Sequence, residues 1–555
     1  MKLDTARLKK LRLRPFDGQA LKRLVEAGLT WLRTNQQTVN ALNVFPVPDG
    51  DTGTNMTLTM TSAWNEIKDS GEKHAGRMAA QVAKGALMGA RGNSGVILSQ
   101  LWRGFARGLQ DSEIIDGPGL VRAFVGARDT AYKGVVKPVE GTILTVAKDT
   151  AAAAEGALSE TQDPIEILER CVPAADASVE RTPTLLPILK QAGVVDAGGK
   201  GLYYVMDGAL RHIRGQPLDI PLATIQPLSS LVLDAAMQEI EAGQDYEVVV
   251  DFFPSNGFEV NKFYSRLEQM GTSIQVGEGE GMYRMHIHVP LDKRYEPVDY
   301  IMGLGTITKV AMENLTAQMN GLAGDKDSKL ELAKVEPDQI AVVVVSPGLG
   351  LSRIFASLGA AAIIEGGQTM NPSTKEILSA FENLPTDHVI ILPNNKNIVM
   401  AAKQAQEVTV KKVAVVPSRS VPEGLAAMLV HDPEGDLEAV VEKMNKALGT
   451  VKTGEITVAT RACIIDGVRA ERGQTIALLD DTLVAASDTV EQAVLELLKI
   501  ARAEEHELVT MIHGDELNPA QANQIADSVR KAYPQLEIEI QNGGQPNYPF
   551  ILSIE

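Results

Sequence analysis

Two aspartates in one short turn are the residues of this sequence best placed to do chemistry. Asp49 and Asp51 are separated by a single glycine, and Pro46 and Pro48 just before them exclude helix. Carboxylate oxygens held this close suit a hard cation such as Mg²⁺, which keeps several waters and bridges to phosphates. Because Pro-Asp-Gly-Asp is also ordinary turn chemistry, the segment indicates either a metal–phosphate site or a polar connection between helices.

Helical patterns flank this turn on both sides. Behind a capping-type Asp17, leucine and valine recur at helical spacing from residue 21 to 32, and residues 56–67 again favour helix. Thr52, Thr54 and Asn55 add hydroxyl and amide groups at the start of the second helix. A helix start presents free N–H groups that favour an anion, so the turn is expected to lie beside one.

Three further glycine-rich or polar breaks each precede a helical pattern. Residues 89–95 read Gly-Ala-Arg-Gly-Asn-Ser-Gly, and Asn93 or Ser94 is the expected N-cap of the helix that follows. The other breaks span residues 137–142 and 196–201. Each is consistent with a phosphate-binding turn or with a capped turn that merely starts a helix. In an antiparallel bundle alternate loops lie at one end, so several of these breaks are predicted to converge.

Composition narrows the class of protein. The chain has 555 residues, 44% of them hydrophobic, and a formal net charge of −18, which disfavours sequence-independent nucleic-acid binding and anionic membrane surfaces. Cys171 and Cys463 are the only cysteines, so neither a disulfide framework nor a CxxC metal site is present. No apolar run reaches the roughly 18 residues of a membrane span. Residues 1–14 form a short basic amphipathic arm rather than a signal peptide, and a cytoplasmic location is expected.

The middle of the chain changes to strand patterns after a proline-containing linker. Residues 246–253 read as a strand, and in residues 283–289 the strict alternation puts Arg284, His286 and His288 on one face. Two histidines at this spacing suit Zn²⁺ with a third ligand from a neighbouring strand. The alternative is the solvent face of an edge strand.

The last third of the chain is typical of a doubly wound α/β fold. Short apolar runs at residues 340–345, 388–392 and 413–416 predict parallel strands buried on both faces. Polar loops follow them at residues 346–350, 393–397 and 417–420, with a further one at residues 366–373. Ligands of such sheets bind beyond the carboxyl ends of the strands, although tight turns need the same residue types. A last strand is predicted at residues 550–554.

Taken in order, VPDGDTGTN, GARGNSG, EGT and DAGG resemble the DhaL family, the ADP-binding half of dihydroxyacetone kinases. The resemblance implies an eight-helix antiparallel barrel that holds a nucleotide and Mg²⁺ at one end. Asp49 and Asp51 would be the magnesium ligands and, with Thr54, catalytic residues. Arg91 is a further catalytic candidate, as a cation that would neutralise the transferred charge, and the alternative is a surface arginine before a helix. The implied nucleotide-binding residues are Thr52, Asn55, Gly92, Asn93, Ser94, Gly95, Thr142, Asp196 and Gly198. Val44 stands where the family has a third aspartate, and Asn43 is the nearest polar substitute.

Over residues 16–555 the motifs, including GGQTMNPS and ILPNNKN, resemble the ATP-binding subunit of bacterial fatty acid kinases. This implies a multidomain α and α/β protein: a helical barrel at 1–215, a small α/β domain at 216–334 and a DegV-like doubly wound domain at 335–555. It also implies a homodimer and a fatty-acid-binding carrier protein as partner. The family's zinc ligands are a cysteine and two histidines, and Glu247 replaces the cysteine here, beside His286 and His288.

The resemblance implies phosphoryl transfer from ATP to the carboxylate of a fatty acid. A carboxylate is already ionised near pH 7, so the reaction needs no general base. One alternative is phosphorylation of dihydroxyacetone or a similar polyol, whose hydroxyl would need a base. The other is a non-catalytic nucleotide-binding regulator.

Overall fold

The fold is taken from a computed structural model of the chain. It describes residues 16–44, 50–135, 137–218, 246–255, 258, 260–267, 269–279, 282–290, 293–314, 330, 332–368, 370–459, 463–465 and 467–555, in places of the middle region as backbone only. Asp49 and the predicted N-terminal arm lie outside this description. The chain divides into two compact units, Pro221–Lys329 and the combination of Met1–Ile220 with Leu330–Glu555. The segments predicted as first and third domains therefore pack together in one unit.

The N-terminal part of the larger unit is built from helices. They are α1 (Gly18–Thr34), α2 (Gln36–Leu42), α3 (Thr52–Ile67), α4 (Ala75–Met88), α5 (Gly92–Gly108), α6 (Gly117–Gly134), α7 (Ile143–Leu158), α8 (Pro164–Leu185), α9 (Pro187–Ala192) and α10 (Ala197–Arg214). Side chains of Asp17, Asp116 and Asp163 cap α1, α6 and α8, satisfying amide groups that would otherwise lack partners. Eight of these described helices are long, as the resemblance implied.

The long helices close into a ring. Each packs on the next in the order α3, α4, α5, α6, α7, α8 and α10, and α1 packs against both α10 and α3. Trp31, Met56, Met60 and Met78 are fully buried inside it. The Trp31 indole donates a hydrogen bond across 2.9 Å to Asp207, which joins α1 to α10 at the closure.

Alternate helices of the ring begin at the same end, which we call the mouth. The starts of α3 and α10 touch, since a Cβ added at Gly201 would lie 2.5 Å from the Met56 sulfur. A Cβ at Gly95, in the first turn of α5, would meet the Thr59 hydroxyl of α3. A Cβ at Gly198, in the first turn of α10, would lie 3.3 Å from the Ile143 Cβ at the start of α7. The starts of α3, α5, α7 and α10 therefore lie together.

The C-terminal part of the same unit carries the predicted parallel strands. β5 (Ala341–Ser346), β6 (Ala362–Glu365), β7 (His388–Leu392) and β8 (Lys412–Val415) form a parallel sheet in the order β6-β5-β7-β8. All six residues of β5 are buried, which accounts for its continuous apolar run. The helices α13 (Leu349–Ser357), α14 (Thr374–Phe381), α15 (Val399–Val408), α16 (Val421–Leu429) and α17 (Leu437–Ala447) surround it.

A second sheet in this part was not anticipated from the sequence. Its strands and the two helices between them are β9 (Lys452–Val458), β12 (Thr475–Leu479), β13 (Thr482–Ser487), α18 (Val490–Ile500), β14 (Leu508–His513), α19 (Pro519–Ala532), β15 (Glu537–Asn542) and β16 (Phe550–Ile554). The strand order is β13-β12-β9-β16-β14-β15, and neighbouring strands are antiparallel except β14 and β15. A small hairpin of β10 (Cys463–Ile465) and β11 (Val468–Ala470) lies between β9 and β12 in the chain. Of the strands of this second sheet, the sequence predicts only the last, β16.

The smaller unit is one antiparallel sheet with two helices. Its strands are β1 (Tyr246–Pro254), β2 (Thr272–Gly279), β3 (Met282–Val289) and β4 (Gly305–Asn314), and its helices are α11 (Val260–Leu267) and α12 (Glu296–Met302). The strand order is β2-β3-β1-β4, so β3 is an inner strand. The edge-strand alternative for the histidine-bearing strand is therefore wrong.

Candidate active site

Asp51 lies at the mouth, at the residue before the first turn of α3. Its side chain does not cap that helix, and the residue is 9% exposed. One carboxylate oxygen accepts two amide hydrogen bonds, from Asn55 at 2.8 Å and from Asn371 at 2.6 Å. Two donors on one oxygen fix the orientation of the carboxylate.

The start of α5 lies directly against this carboxylate. Gly92 has φ +56°, and a Cβ there would lie 2.5 Å from the side-chain nitrogen of Asn55. The hydroxyls of Ser94 and Thr52 are 3.5 Å apart. Glycine suits this backbone conformation and this close approach. The start of α5 therefore packs on Asn55, the residue whose amide binds Asp51.

The predicted N-cap of α5 was wrong by two to three residues. The helix begins at Gly92, and Arg91 is its N-cap residue in extended conformation without a side-chain cap. Asn93 and Ser94 are therefore in the first turn. The short polar side chains suggested a cap, but the left-handed conformation of Gly92 lets the helix begin earlier. Neither N-cap residue, Asp51 of α3 or Arg91 of α5, caps its helix with its side chain, but the Asn40 side-chain oxygen accepts from the Thr54 N–H in the first turn of α3 at 3.1 Å.

The other two helices that begin at the mouth cap themselves. Thr142 accepts from the Leu144 N–H at 3.4 Å, and Asp196 accepts from the Gly199 N–H at 2.7 Å. Burial raises the pKa of Asp196 to about 6, although the N–H groups of Gly199 and Ile143 oppose this. Gly198 packs on Ile143, because a Cβ built on Gly198 would lie 3.3 Å from the Ile143 Cβ. These residues hold α7 and α10 together at the mouth.

Thr54 and Arg91, two of the other sequence-predicted residues, form hydrogen bonds to protein groups away from the Asp51 carboxylate. The Thr54 hydroxyl accepts from Asn40 at 3.0 Å and from Gln36 at 3.2 Å, so it faces α2. Asn43 is buried at the end of α2. Arg91 donates to the Asn371 carbonyl at 2.9 Å and to the Glu376 carboxylate at 3.0 Å.

The mouth also receives loops from the C-terminal α/β part, which sequence reasoning missed as site residues. Asn93 donates to Asn397 at 3.0 Å, and the Thr374 N–H donates to the Ala90 carbonyl at 3.2 Å. Ala90 and Val96 share one buried apolar cluster with the strands of the parallel sheet. The asparagine-rich loops after β6 and β7 were the available signal, but spacing cannot tell which surface a loop faces.

In the smaller unit the backbone register shows which predicted zinc residues share a face of the sheet. Glu247 pairs with His288 and Val249 pairs with His286, so Glu247 and both histidines belong to one face of the sheet. The side chains of these three residues lie outside the description. Among the described side chains no cluster of histidine, cysteine and carboxylate groups suits a metal ion. Zinc at this face stays a prediction.

Comparisons with known proteins decide the family. Three family models match the chain in order: the DAK2 domain at residues 46–211, the FakA-like middle domain of fatty acid kinases at 243–322 and the FakA-like C-terminal domain at 341–555. An uncharacterized protein of Staphylococcus aureus strain USA300 is 38% identical over 548 residues, which cover 97% of this chain and 99% of that protein. The chain belongs to the FakA-like family of fatty acid kinase proteins.

One further relative covers the length of this FakA-like protein, and solved structures resemble parts of it. Protein YloV of Bacillus subtilis strain 168 is 37% identical over 555 residues, covering 98% of this chain and all of YloV. A dihydroxyacetone kinase from C. freundii, solved with AMP-PNP and Mg²⁺, is 18% identical with a TM-score of 0.29 and covers 36% of this chain and 35% of that chain. DegV from Bacillus subtilis, a fatty acid binding protein, is 13% identical with a TM-score of 0.30 and covers 39% of this chain and 98% of DegV.

The kinase-related DAK2 region contains the whole mouth of the helical ring except the loops from the C-terminal part. It holds the buried carboxylate of Asp51 at the start of α3 and beside the start of α5. Helix starts favour phosphate, and a carboxylate favours a hard cation. The described part of the chain contains no helix apolar and long enough to cross a membrane.

Proposed function

We propose that this protein is the ATP-binding subunit of a fatty acid kinase, transferring the γ-phosphoryl group of ATP to a fatty acid carboxylate. A separate fatty-acid-binding carrier protein presents the acid, and the products are ADP and an acyl phosphate. The observation that carries the proposal is the position of Asp51, buried between the starts of α3 and α5. That arrangement supports binding of a polyphosphate together with a cation.

The residues present fit a magnesium ion. Asp51 offers a hard carboxylate oxygen in fixed orientation, and the buried side-chain oxygen of Asn371 beside it has no hydrogen-bond partner. Asp49, Asp51 and, by resemblance, Asn43 would hold the ion. When bound, Mg²⁺ neutralises charge on the phosphates.

The chain's own groups bind and orient the nucleotide. The first backbone amides of α5, from Gly92 to Gly95, hold the phosphates through the partial positive charge at a helix start. Ser94 and Thr52 supply hydroxyl donors from the two facing helices. Thr142, Asp196 and Gly198 form the opposite wall of the nucleotide site.

The nucleophile needs no base from the protein. His74 and His212 are the histidines of the helical region, one before α4 and the other in the last turn of α10. Because α10 begins at the mouth and α4 runs opposite to α3, both imidazoles lie at the far end. A fatty acid carboxylate is ionised near pH 7, whereas a polyol hydroxyl would need such a base. This observation favours the carboxylate over dihydroxyacetone.

In the transfer a carboxylate oxygen forms a bond to the γ-phosphorus. The bond between that phosphorus and the β,γ-bridging oxygen breaks, and ADP keeps the bridging oxygen and its electron pair. No proton moves in this step. A homodimer and a DegV-family carrier belong to the proposal by resemblance.

The test measures ADP release by the purified full-length chain with Mg²⁺ and three acceptors. The acceptors are oleate loaded on a DegV-family fatty-acid-binding protein, that protein without fatty acid, and dihydroxyacetone. We expect turnover only with the loaded carrier. Turnover with dihydroxyacetone alone would replace this function by polyol phosphorylation, and tight nucleotide binding without turnover would leave a regulator.

A further inference from the structure

The segment at residues 370–373 of the C-terminal α/β part, which we call the docked loop, reaches the mouth and places Asn371 beside Asp51. Asn371 is 2% exposed, and its side-chain nitrogen donates to the Asp51 carboxylate at 2.6 Å. The same nitrogen lies 3.6 Å from a Cβ placed at Gly92, the first residue of α5. The amide of Asn371 is therefore in contact with the start of α3, through Asp51, and with the start of α5, through Gly92.

The docked loop is held in this position by contacts that do not involve the side-chain amide of Asn371. Arg91 binds the Asn371 carbonyl and the Glu376 carboxylate, and the backbone of Thr374 donates to Ala90. Deeper in the same contact Gln404 donates to the Ser99 hydroxyl of α5 at 2.9 Å. The position of Asn371 thus follows from a packed contact between the two parts of the unit.

The side-chain oxygen of Asn371 is buried and has no hydrogen-bond partner. It belongs to the same planar amide group as the nitrogen that binds Asp51, so the two oxygens are separated by no more than one amide group and one hydrogen bond. A buried carbonyl oxygen without a partner is unfavourable, and a carboxylate beside it adds like-signed charge. Nearby donors are already engaged, since Asn55 binds Asp51 and Arg91 binds the loop.

A cation bound by oxygen ligands resolves this arrangement. Asparagine side-chain oxygens and carboxylates are ligands of Mg²⁺, usually together with waters. We propose that the Asn371 oxygen is part of the coordination shell of the divalent cation at the mouth, bound to the ion or to one of its waters. The active site is then composite, with Asp51 from the helical ring and Asn371 from the C-terminal part.

One consequence is a coupling between nucleotide binding and the C-terminal part. A cation that binds both Asp51 and Asn371 favours the docked loop, and by reciprocity the docked loop favours the cation–nucleotide complex. The inference rests on the proposed nucleotide–metal site. It is independent of the acyl acceptor, so it can fail or hold separately from the fatty acid kinase activity.

The experiment measures Mn²⁺ binding to the full-length chain by electron paramagnetic resonance, with saturating ATP and without fatty acid or carrier. We expect Asn371→Ala to weaken Mn²⁺ binding by about 10–100-fold. Asn371→Asp should keep an affinity close to wild type, because a carboxylate oxygen replaces the amide oxygen. Asn371→Asp should also be less heat-stable than wild type without metal and gain more stability from Mn²⁺.

Gln404→Ala is the matched control. It weakens the same contact between the two parts but lies away from Asp51, so Mn²⁺ binding should stay near the wild-type value. Unchanged Mn²⁺ affinity in Asn371→Ala overturns the proposal. Equal losses in Asn371→Ala and Gln404→Ala also overturn it, because Asn371 would then only dock the loop. If Asn371→Ala does not fold, the test uses Asn371→Asp alone. Loss of Mn²⁺ binding in a folded Asn371→Asp chain would also overturn the proposal, because its carboxylate oxygen should replace the amide oxygen.

Discussion

The amide of Asn55 donates to the Asp51 carboxylate across 2.8 Å, one helical turn along α3. This bond orients the acidic group that the proposed mechanism needs for the cation. Asp51→Asn keeps the size of the side chain and removes its charge. We expect kcat for acyl phosphate formation to fall on the order of 10³-fold, because an electrostatic contact to the transferred group is lost.

The matched control for this substitution is Asp116→Asn. Asp116 caps α6 at the end of the ring away from the mouth, and asparagine caps as well as aspartate. Turnover and far-UV circular dichroism of Asp116→Asn should match wild type. If Asp51→Asn retains turnover within tenfold of wild type, Asp51 is not a metal ligand.

Gly92→Ala tests the close approach of α5 to α3. Alanine at φ +56° costs about 1–2 kcal/mol of stability, and its Cβ would displace the Asn55 amide, 2.5 Å away. ATP affinity, measured by calorimetry, should fall by at least about tenfold, or 1.4 kcal/mol.

Gly193→Ala is the control that separates the effect of backbone strain on stability from the effect of a substitution at the nucleotide site. Gly193 also has a positive φ, +66°, but nothing lies within 4 Å of a Cβ placed there. Urea unfolding should show a loss of stability in Gly193→Ala that is no larger than in Gly92→Ala, with ATP affinity unchanged in Gly193→Ala. Equal loss of ATP affinity in the two variants would argue against a nucleotide at the start of α5.

The Asp196 carboxyl predicts a pH dependence of stability. Burial raises its pKa to about 6, above the ordinary 3.8, so its contribution is complete below about pH 4 and is lost as the pH rises through 6. Asp196→Asn caps α10 without titrating. The free energy of unfolding of wild type relative to Asp196→Asn should therefore fall by about 2 kcal/mol between about pH 4.5 and 7.5. A pH-independent difference in urea unfolding would contradict the assignment.

Trp31→Phe tests how the ring is closed. The indole N–H bonds the buried Asp207, which also accepts from Arg211 at 2.7 Å. Loss of that donor and of part of the indole should lower stability by about 1–3 kcal/mol. Guanidinium unfolding measures this, and ATP affinity should not change since α1 contributes nothing to the described mouth. An unchanged unfolding midpoint would show that the bond does not stabilise the closure.

The helix cap at Asp17 and two buried strands were predictable from the sequence, because each is determined by residues close together in the chain. Asp17 caps α1 as expected, and the strands at residues 388–392 and 550–554 have the predicted bounds. A strand buried on both faces has a continuous apolar run, and a capping aspartate acts within one turn. Both are visible without tertiary contacts.

Long-range features were not predictable in the same way. Strands of the mixed sheet such as β15, where alternate residues are exposed, lack a continuous apolar run, and the turn between β12 and β13 uses Asp480 and Asp481 at positive φ instead of asparagine–glycine. Asn371 is separated from Asp51 by 320 positions. Spacing along the chain carries no information about that contact.

Trapping of the product with hydroxylamine tests the central claim most directly. Acyl phosphates react with hydroxylamine to give hydroxamates, which mass spectrometry identifies. With ATP, Mg²⁺ and oleate on its carrier, the wild-type chain should yield oleoyl hydroxamate in step with ADP, and Asp51→Asn should yield almost none. ADP release without any hydroxamate, or equal hydroxamate from Asp51→Asn, would contradict phosphoryl transfer to a fatty acid at this site.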